Sequence, residues 1–251
     1  MFKFLIFCLV WIFCLNTNIS AGTIDPNNAD SEYLEFAHQE QFDCIRPLLS
    51  KKDDKITSTS SCVVIKPKAA LTAAHIFSTV PKDHTFYILL NNKIYLVEEV
   101  ICHKLFKANK MGFYDIALCK TSEPIEPMSF PEFYKERREL LKDVCICGYG
   151  LTGTFDTGSK IADGKKRAGT NLVEGIRDHS LICSPSYSQS SNLEFLIAHG
   201  DSGGGLFIDN KLAGINSYVY ANDGNANSSR KDKAGHTRVS LFLDWIKQNT
   251  E

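Results

Sequence analysis

The chain has 251 residues, 43% of them hydrophobic, with 28 basic against 29 acidic side chains for a formal net charge of −1. Apolar content on this scale can fill one sizeable core or two modest ones. The charge balance gives no bias toward nucleic acid or an anionic membrane surface.

In chain order, Lys3 precedes an apolar run from Phe4 to Leu15, followed by a polar stretch that ends in the small residues Ser20-Ala21. This is the layout of a secretory signal peptide. The run of 12 residues falls short of the ~20 needed to cross a bilayer. Cleavage after Ala21 or Gly22 is expected to release the remainder as a soluble extracellular or periplasmic protein. Short apolar segments between turn residues then predict strands. In the first half these are Cys62 to Ile65, Thr85 to Leu90, Ile94 to Ile101 and Ile116 to Cys119. In the second half they are Val144 to Gly148, Asn171 to Ile176, Glu194 to Ile197, Gly205 to Ile208 and Leu212 to Tyr218. Asn91-Asn92 and Asp209-Asn210 read as turns, the latter closing a hairpin. The proline-bearing stretch Ser122 to Pro131 reads as a connection, and Glu132 to Lys142 as a turn or two of helix. Thr152 to Thr170 and Ala221 to Gly235 are polar and read as solvated loops. Leu241 to Gln248 predicts a terminal amphipathic helix with Leu241, Trp245 and Ile246 inward.

Three residues carry candidate chemistry. Ser202 sits in Gly200-Asp201-Ser202-Gly203-Gly204, where glycines permit a tight turn that frees the hydroxyl and lets backbone N–H groups converge on a developing oxyanion. A serine nucleophile needs a base, and the base an orienting acid. His75 closes the small-residue run Leu71-Thr72-Ala73-Ala74, and Asp115 heads the apolar segment Ile116-Ala117-Leu118. Each has an ordinary structural reading when taken alone: a surface turn, a satisfied surface or core histidine, an aspartate in a turn.

Together with Gly148-Tyr149-Gly150, these motifs resemble the trypsin/chymotrypsin family of serine endopeptidases over roughly residues 32–248. The resemblance implies an all-β fold of two antiparallel β-barrels, with the active site in the cleft between them and a C-terminal α-helix. The corresponding division is a signal peptide over 1–21, an N-terminal barrel half over 22–128 and a C-terminal half over 129–251. It further implies Ser202 as nucleophile, His75 as general base and then acid, and Asp115 as the residue that holds the imidazole. The N–H groups of Gly200 and Ser202 would form the oxyanion hole. A protein or peptide substrate, no cofactor, no nucleic acid, no membrane contact after leader removal and a monomeric state are the accompanying expectations.

Several departures shape the rest. The position six before the nucleophile, an aspartate in trypsin-specific members, is Leu196. Ser217, Tyr218 and Val219 take the Ser-Trp-Gly positions of the strand that lines the pocket. Val219 would narrow the entrance, so a small or medium apolar side chain is expected there and Lys or Arg is not. Asp201 matches the aspartate that pairs with a newly cut N-terminus, yet no Ile-Val-Gly-Gly occurs and no Lys or Arg lies between Gly22 and Cys44. Leader removal near Gly22 or Thr23 is therefore expected to create that terminus. Seven cysteines follow the leader, an odd number that leaves at least one free thiol or an intermolecular bridge. No His/Cys cluster has zinc-ligand spacing. The competing reading is a catalytically silent homologue that binds peptides through the old cleft, and loss of a triad residue would be its sign.

Overall fold

A computed structural model describes residues 21–126, 129–185, 192–221 and 223–251. The expected leader, apart from Ala21, lies outside the described residues. The first half forms a closed antiparallel barrel of β2 (Ile45–Lys52), β3 (Lys55–Lys66), β4 (Ala69–Thr72), β5 (Thr85–Leu90), β6 (Lys93–Cys102) and β7 (Ala117–Thr121), in the order β2-β3-β4-β7-β6-β5. The second half is built on a seven-stranded sheet. Its strands are β8 (Asp143–Gly148), β11 (Arg167–Leu172), β12 (Gly175–Arg177), β13 (Ser180–Cys183), β15 (Gly205–Ile208), β16 (Lys211–Tyr220) and β17 (Lys233–Arg238). They run in the order β11-β8-β15-β16-β17-β13-β12.

A smaller sheet joins β1 (Thr23–Ile24), β9 (Thr152–Thr154), β10 (Gly158–Ile161) and β14 (Phe195–Leu196). A bridge between Thr170 and Glu194 links it to the larger sheet. The N-terminal segment thus pairs with the second half, Thr23 opposite Leu196 and Ile24 opposite Phe195. Helix α1 (Asp30–Phe36) is tied to β11 by Arg167, whose buried guanidinium bonds Asp30 at 2.6 and 2.7 Å and Asp163 at 2.7 and 3.0 Å. Helix α2 (His75–Thr79) follows β4, and α3 (Leu243–Thr250) ends the chain. Among the described residues no helix is long and apolar enough to cross a membrane.

Strand alternation divides the barrel's side chains between two cores. Cys62 and Val64 of β3, Ala70 of β4 and Cys119 of β7 fill the barrel interior with Leu48 and Ile88. Their neighbours Val63, Ile65, Leu71 and Leu118 face outward into a second core with Phe207, Leu212, Ile215, Phe242 and Ile246. That core is the seam between the halves, so the barrel strands are apolar on both faces. Of the residues expected inward on the terminal helix, Ile246 is buried, while Leu241 and Trp245 are partly so.

The hairpin turns at Asn91-Asn92 and Asp209-Asn210 have positive φ at both positions, as does Asp53-Asp54 between β2 and β3. Asn and Asp tolerate this left-handed geometry. The segment Glu132 to Lys142 is not helical. Its backbone bonds sideways instead: Leu212 N–H to Glu132 O, Tyr134 N–H to Leu212 O and Leu141 N–H to Val173 O, at 2.8–2.9 Å. Glu139 is fully buried there in a two-pronged pair with Arg238 at 2.7 and 2.8 Å, and it also accepts the Ser240 hydroxyl at 2.7 Å. Burial raises its pKa, but these partners outweigh burial and hold it below the usual carboxylate value. Glu139→Gln leaves Arg238 without its counter-charge and is expected to lower stability by about 3 kcal/mol, measured by urea unfolding. A loss below about 1 kcal/mol would reduce the pair to the level of a surface contact.

Candidate active site

β4 ends at Thr72, and the buried Ala73 and Ala74 carry the chain into α2, which begins at His75. The first N–H groups of a helix have no partner within it. His75 N–H is satisfied by Asp115 Oδ1 at 2.8 Å, while His75 Nδ1 lies 2.7 Å from Asp115 Oδ2. One carboxylate thus fixes both the backbone and the ring of the histidine. His75 Nε2 lies 3.0 Å from Ser202 Oγ, within hydrogen-bond range.

Asp115 is 2% exposed. Its inward turn follows Tyr114, which holds φ at +51° with its ring stacked on His103 at 4.8 Å and packed on His179. The Ser217 hydroxyl donates to Asp115 Oδ2, and the Thr237 hydroxyl donates to its backbone carbonyl at 2.8 Å. The aspartate comes from the first half and both hydroxyls from the second, so the halves meet on this residue.

Ser202 stands on a turn closed by Gly204 N–H to Asp201 O at 2.9 Å and Gly203 N–H to Asn216 O at 2.8 Å. Gly203 has φ +86°, and a Cβ there would lie 2.0 Å from Thr72 Oγ1 and 2.1 Å from Ser61 O. Only glycine lets the turn pack this closely on β3 and β4. In a planar trans peptide, C=O and N–H point opposite ways. His199 O is held by Leu151 N–H at 2.6 Å, and Asp201 O by Gly204 N–H. The following N–H groups, of Gly200 and Ser202, therefore face away from those anchors. Among the described residues neither has an acceptor.

Behind the serine, Asp201 has no exposed surface. Its carboxylate accepts Gly150 N–H at 2.7 Å, Ala198 N–H at 2.7 Å and Gly22 N–H at 2.8 Å. Burial pushes its pKa up to about 7 against the pull of these three donors. A Cβ on Gly148 or Gly150 would come within 2.3 and 2.6 Å of the Asp201 carboxylate, which explains both glycines of the Gly-Tyr-Gly motif. Leu196 is fully buried in an apolar cluster against which Val219 packs; Ser217 is 4% exposed, and Tyr218 is half-buried. All seven cysteines of the described chain are free thiols.

The family model for trypsin matches residues 37–246. The chain belongs to the trypsin family of serine endopeptidases. It is 28% identical to a trypsin of Simulium vittatum over 174 residues, 62% of this chain and 68% of that one. It is 27% identical over 165 residues to serine protease SSP1 of Scolopendra subspinipes, covering 61% of this chain and 55% of the relative. Among solved structures, mouse brain neuropsin superposes with a TM-score of 0.66 at 14% identity, covering 85% of this chain and 97% of that one. HL collagenase gives 0.65 at 22% identity, over 83% and 94% of the two chains. These last two likenesses speak to the fold alone.

Several contributors to this trypsin-family site carry no motif in the sequence. Ser61, one of several serines in β3, donates to Gly200 O and accepts Tyr149 N–H, both at 3.0 Å. Asn216 brackets the serine turn through its backbone, and its amide bonds Cys147 O at 3.0 Å and His236 Nδ1 at 2.8 Å. His236 is fully buried, and burial lowers its pKa to about 3. An unfolded histidine takes up its proton near pH 6.5. Between that value and about 3 the unfolded chain therefore binds the extra proton, and stability falls as pH falls. The slope from one such group is about 1.4 kcal/mol per pH unit. Urea unfolding between pH 7.5 and 5 is expected to show this share in the wild type and lose it in His236→Gln. An unchanged slope would mean that His236 titrates like an exposed histidine.

Proposed function

We propose that the chain is a secreted serine endopeptidase that cleaves peptide bonds through Ser202, His75 and Asp115. The observation that carries this reading is the continuous hydrogen-bonded line Asp115–His75–Ser202 beside the N–H groups of Gly200 and Ser202. His75 Nε2 takes the Ser202 proton as Oγ attacks the substrate carbonyl. The oxyanion forms within reach of the Gly200 and Ser202 N–H groups, which stabilise it without reorganising. Asp115, accepting from Nδ1, keeps the other nitrogen free as the base and stabilises the imidazolium. His75 then gives the proton to the leaving amine, and a water, activated the same way, hydrolyses the acyl-enzyme.

Leu196 and Val219 support a preference for a small or medium apolar side chain before the cut. No carboxylate at Leu196 offsets the desolvation of a lysine or arginine head group. Ser202→Ala is expected to reduce kcat/KM on apolar-site peptides by about 10³-fold or more. Equal cleavage by both proteins would remove the catalytic reading.

The switch on this site is proposed to be leader removal. Cutting after Ala21 converts the Gly22 amide, already 2.8 Å from Asp201 Oδ2, into an ammonium at the same place. Gly22 has φ +48°, and a Cβ there would meet the Phe195 ring at 2.0 Å, so glycine suits this position. A buried carboxylate raises the ammonium's pKa above the ordinary value of about 8. The pair stands while Asp201 is ionised and the ammonium is protonated, and it is lost at alkaline pH as pH rises through the ammonium's raised value. N-terminal sequencing of active secreted protein is expected to begin at Gly22, with activity falling at alkaline pH. A start well beyond residue 30 would sink this proposal.

A further inference from the structure

Next to the triad, beyond Ser217, the chain leaves a cavity of about 590 Å³ lined by the loop 110–113, Arg177, Asp178, Ser180, Tyr218 and Tyr220. Its wall is built tightly. A Cβ on Gly112 would lie 2.3 Å from the Tyr218 ring, and one on Gly235 would lie 2.1 Å from the same ring. Tyr218 is therefore clamped between two glycine backbones, one from each half of the protein. Gly112 lies three residues before Asp115, and Tyr218 directly follows the serine bonded to it, so cavity and triad share one frame.

Two cations stand at this cavity. The Arg177 guanidinium lies 5.9 Å from the Tyr220 ring centre, and Lys110 Nζ lies 4.8 Å from that of Phe113. Each is held over an aromatic face, and among the described residues neither has a carboxylate within 4.0 Å. Asp178 is the single acid among the lining residues, so the pocket keeps a net positive charge. Cations paired only with rings retain their capacity for an incoming anion.

We propose that this cavity selects an acidic side chain of the substrate, held by Arg177 and Lys110. This rests on the endopeptidase reading. With Val219 against the side chain before the cut, as proposed, the cavity lined by its neighbours Tyr218 and Tyr220 places the acidic residue two to four positions before the scissile bond.

The test uses fluorescent peptides with an apolar residue before the cut and Glu, Gln or Lys at each of those three positions. Cleavage by the wild type and binding to the Ser202→Ala protein by fluorescence anisotropy are both measured. At one position Glu is expected to exceed Gln by about five-fold in kcat/KM, the scale of a partly exposed ion pair, with the effect in KM and reduced by salt. Arg177→Gln combined with Lys110→Gln should bring the Glu/Gln ratio to about one, whereas Arg177→Lys should keep part of it. Cleavage with no Glu preference at any position, or a preference that survives the double substitution, overturns the proposal. Glu-selective binding without cleavage upholds it and removes the endopeptidase reading instead. Neither binding nor cleavage overturns both.

Discussion

The Asp201 carboxylate is placed where water does not reach, and backbone N–H groups from two distant stretches of chain and from the adjacent segment meet it there. Burying a carboxyl without partners is costly, so these donors hold the peptide geometry as much as the geometry holds them. Gly22 brings the N-terminal strand, Gly150 the segment just after β8, and Ala198 the segment leading to the serine. The serine turn follows directly from this anchorage, because Asp201 also supplies the carbonyl that Gly204 N–H closes upon. Two glycines on β8 and its extension exist to let the carboxylate in. Weakening this contact would loosen Ser202 and the neighbouring N–H groups before it affected the imidazole, which is held from the other half.

That second hold works by a different principle. Asp115 is fixed by His75 N–H and Nδ1 within the first half and by Ser217 and Thr237 hydroxyls from the second. The apolar seam behind it combines Leu71, Ile116 and Leu118 with Ile215 and Phe242. Hydrophobic burial sets the distance between the halves, and the directional bonds on Asp115 set their register. The His75–Ser202 distance is a consequence of both. A cavity-forming change in the seam would therefore reach the site through misalignment of the two halves, since packed interiors transmit small volume changes.

Most strands with apolar alternation were legible in the sequence, although the expected strand Asn171 to Ile176 is split between β11 and β12. Ser202, His75 and Asp115, which the structure brings together, stood out there through the short motifs around them. β2 was not legible: Pro47 and its lysines disguise it. The proline is accommodated because β5 pairs only with Leu48 to Lys51, leaving Pro47 bonded on one side alone. β17, written Lys-Ala-Gly-His-Thr-Arg, lacks the β-branched apolar run that marks a strand. It pairs on both sides, and its histidine is buried. The expected helix over Glu132 to Lys142 failed for a related reason. Its charged spacing suits a helix surface, but the buried Glu139 has its partner 99 residues away, and a long-range pair cannot be read from local periodicity. Ser61 and Asn216 act through hydrogen bonds to residues far away in the chain, which leave no local pattern at all.

Long-range ties of this kind also bear on how a chain with seven free thiols holds its loops. A disulfide acts largely by restricting the unfolded chain, whereas an ion pair contributes only in the folded state. Here Arg167 gathers Asp30 and Asp163, while Arg238 and Ser240 enclose Glu139. Both arginine–carboxylate sets tie segments outside the main sheets back to the second half: helix α1 in one case, the inter-half connection in the other. Their geometry is two-pronged, which favours arginine over lysine. Glu139, held below the usual carboxylate value by Arg238 and Ser240, loses that stabilisation as pH falls through its depressed pKa, in the same direction as the buried His236. Asp201, raised by burial, contributes with the opposite sign, so the serine turn, which rests on Asp201 and on Asn216 beside His236, sits between opposing responses to acid.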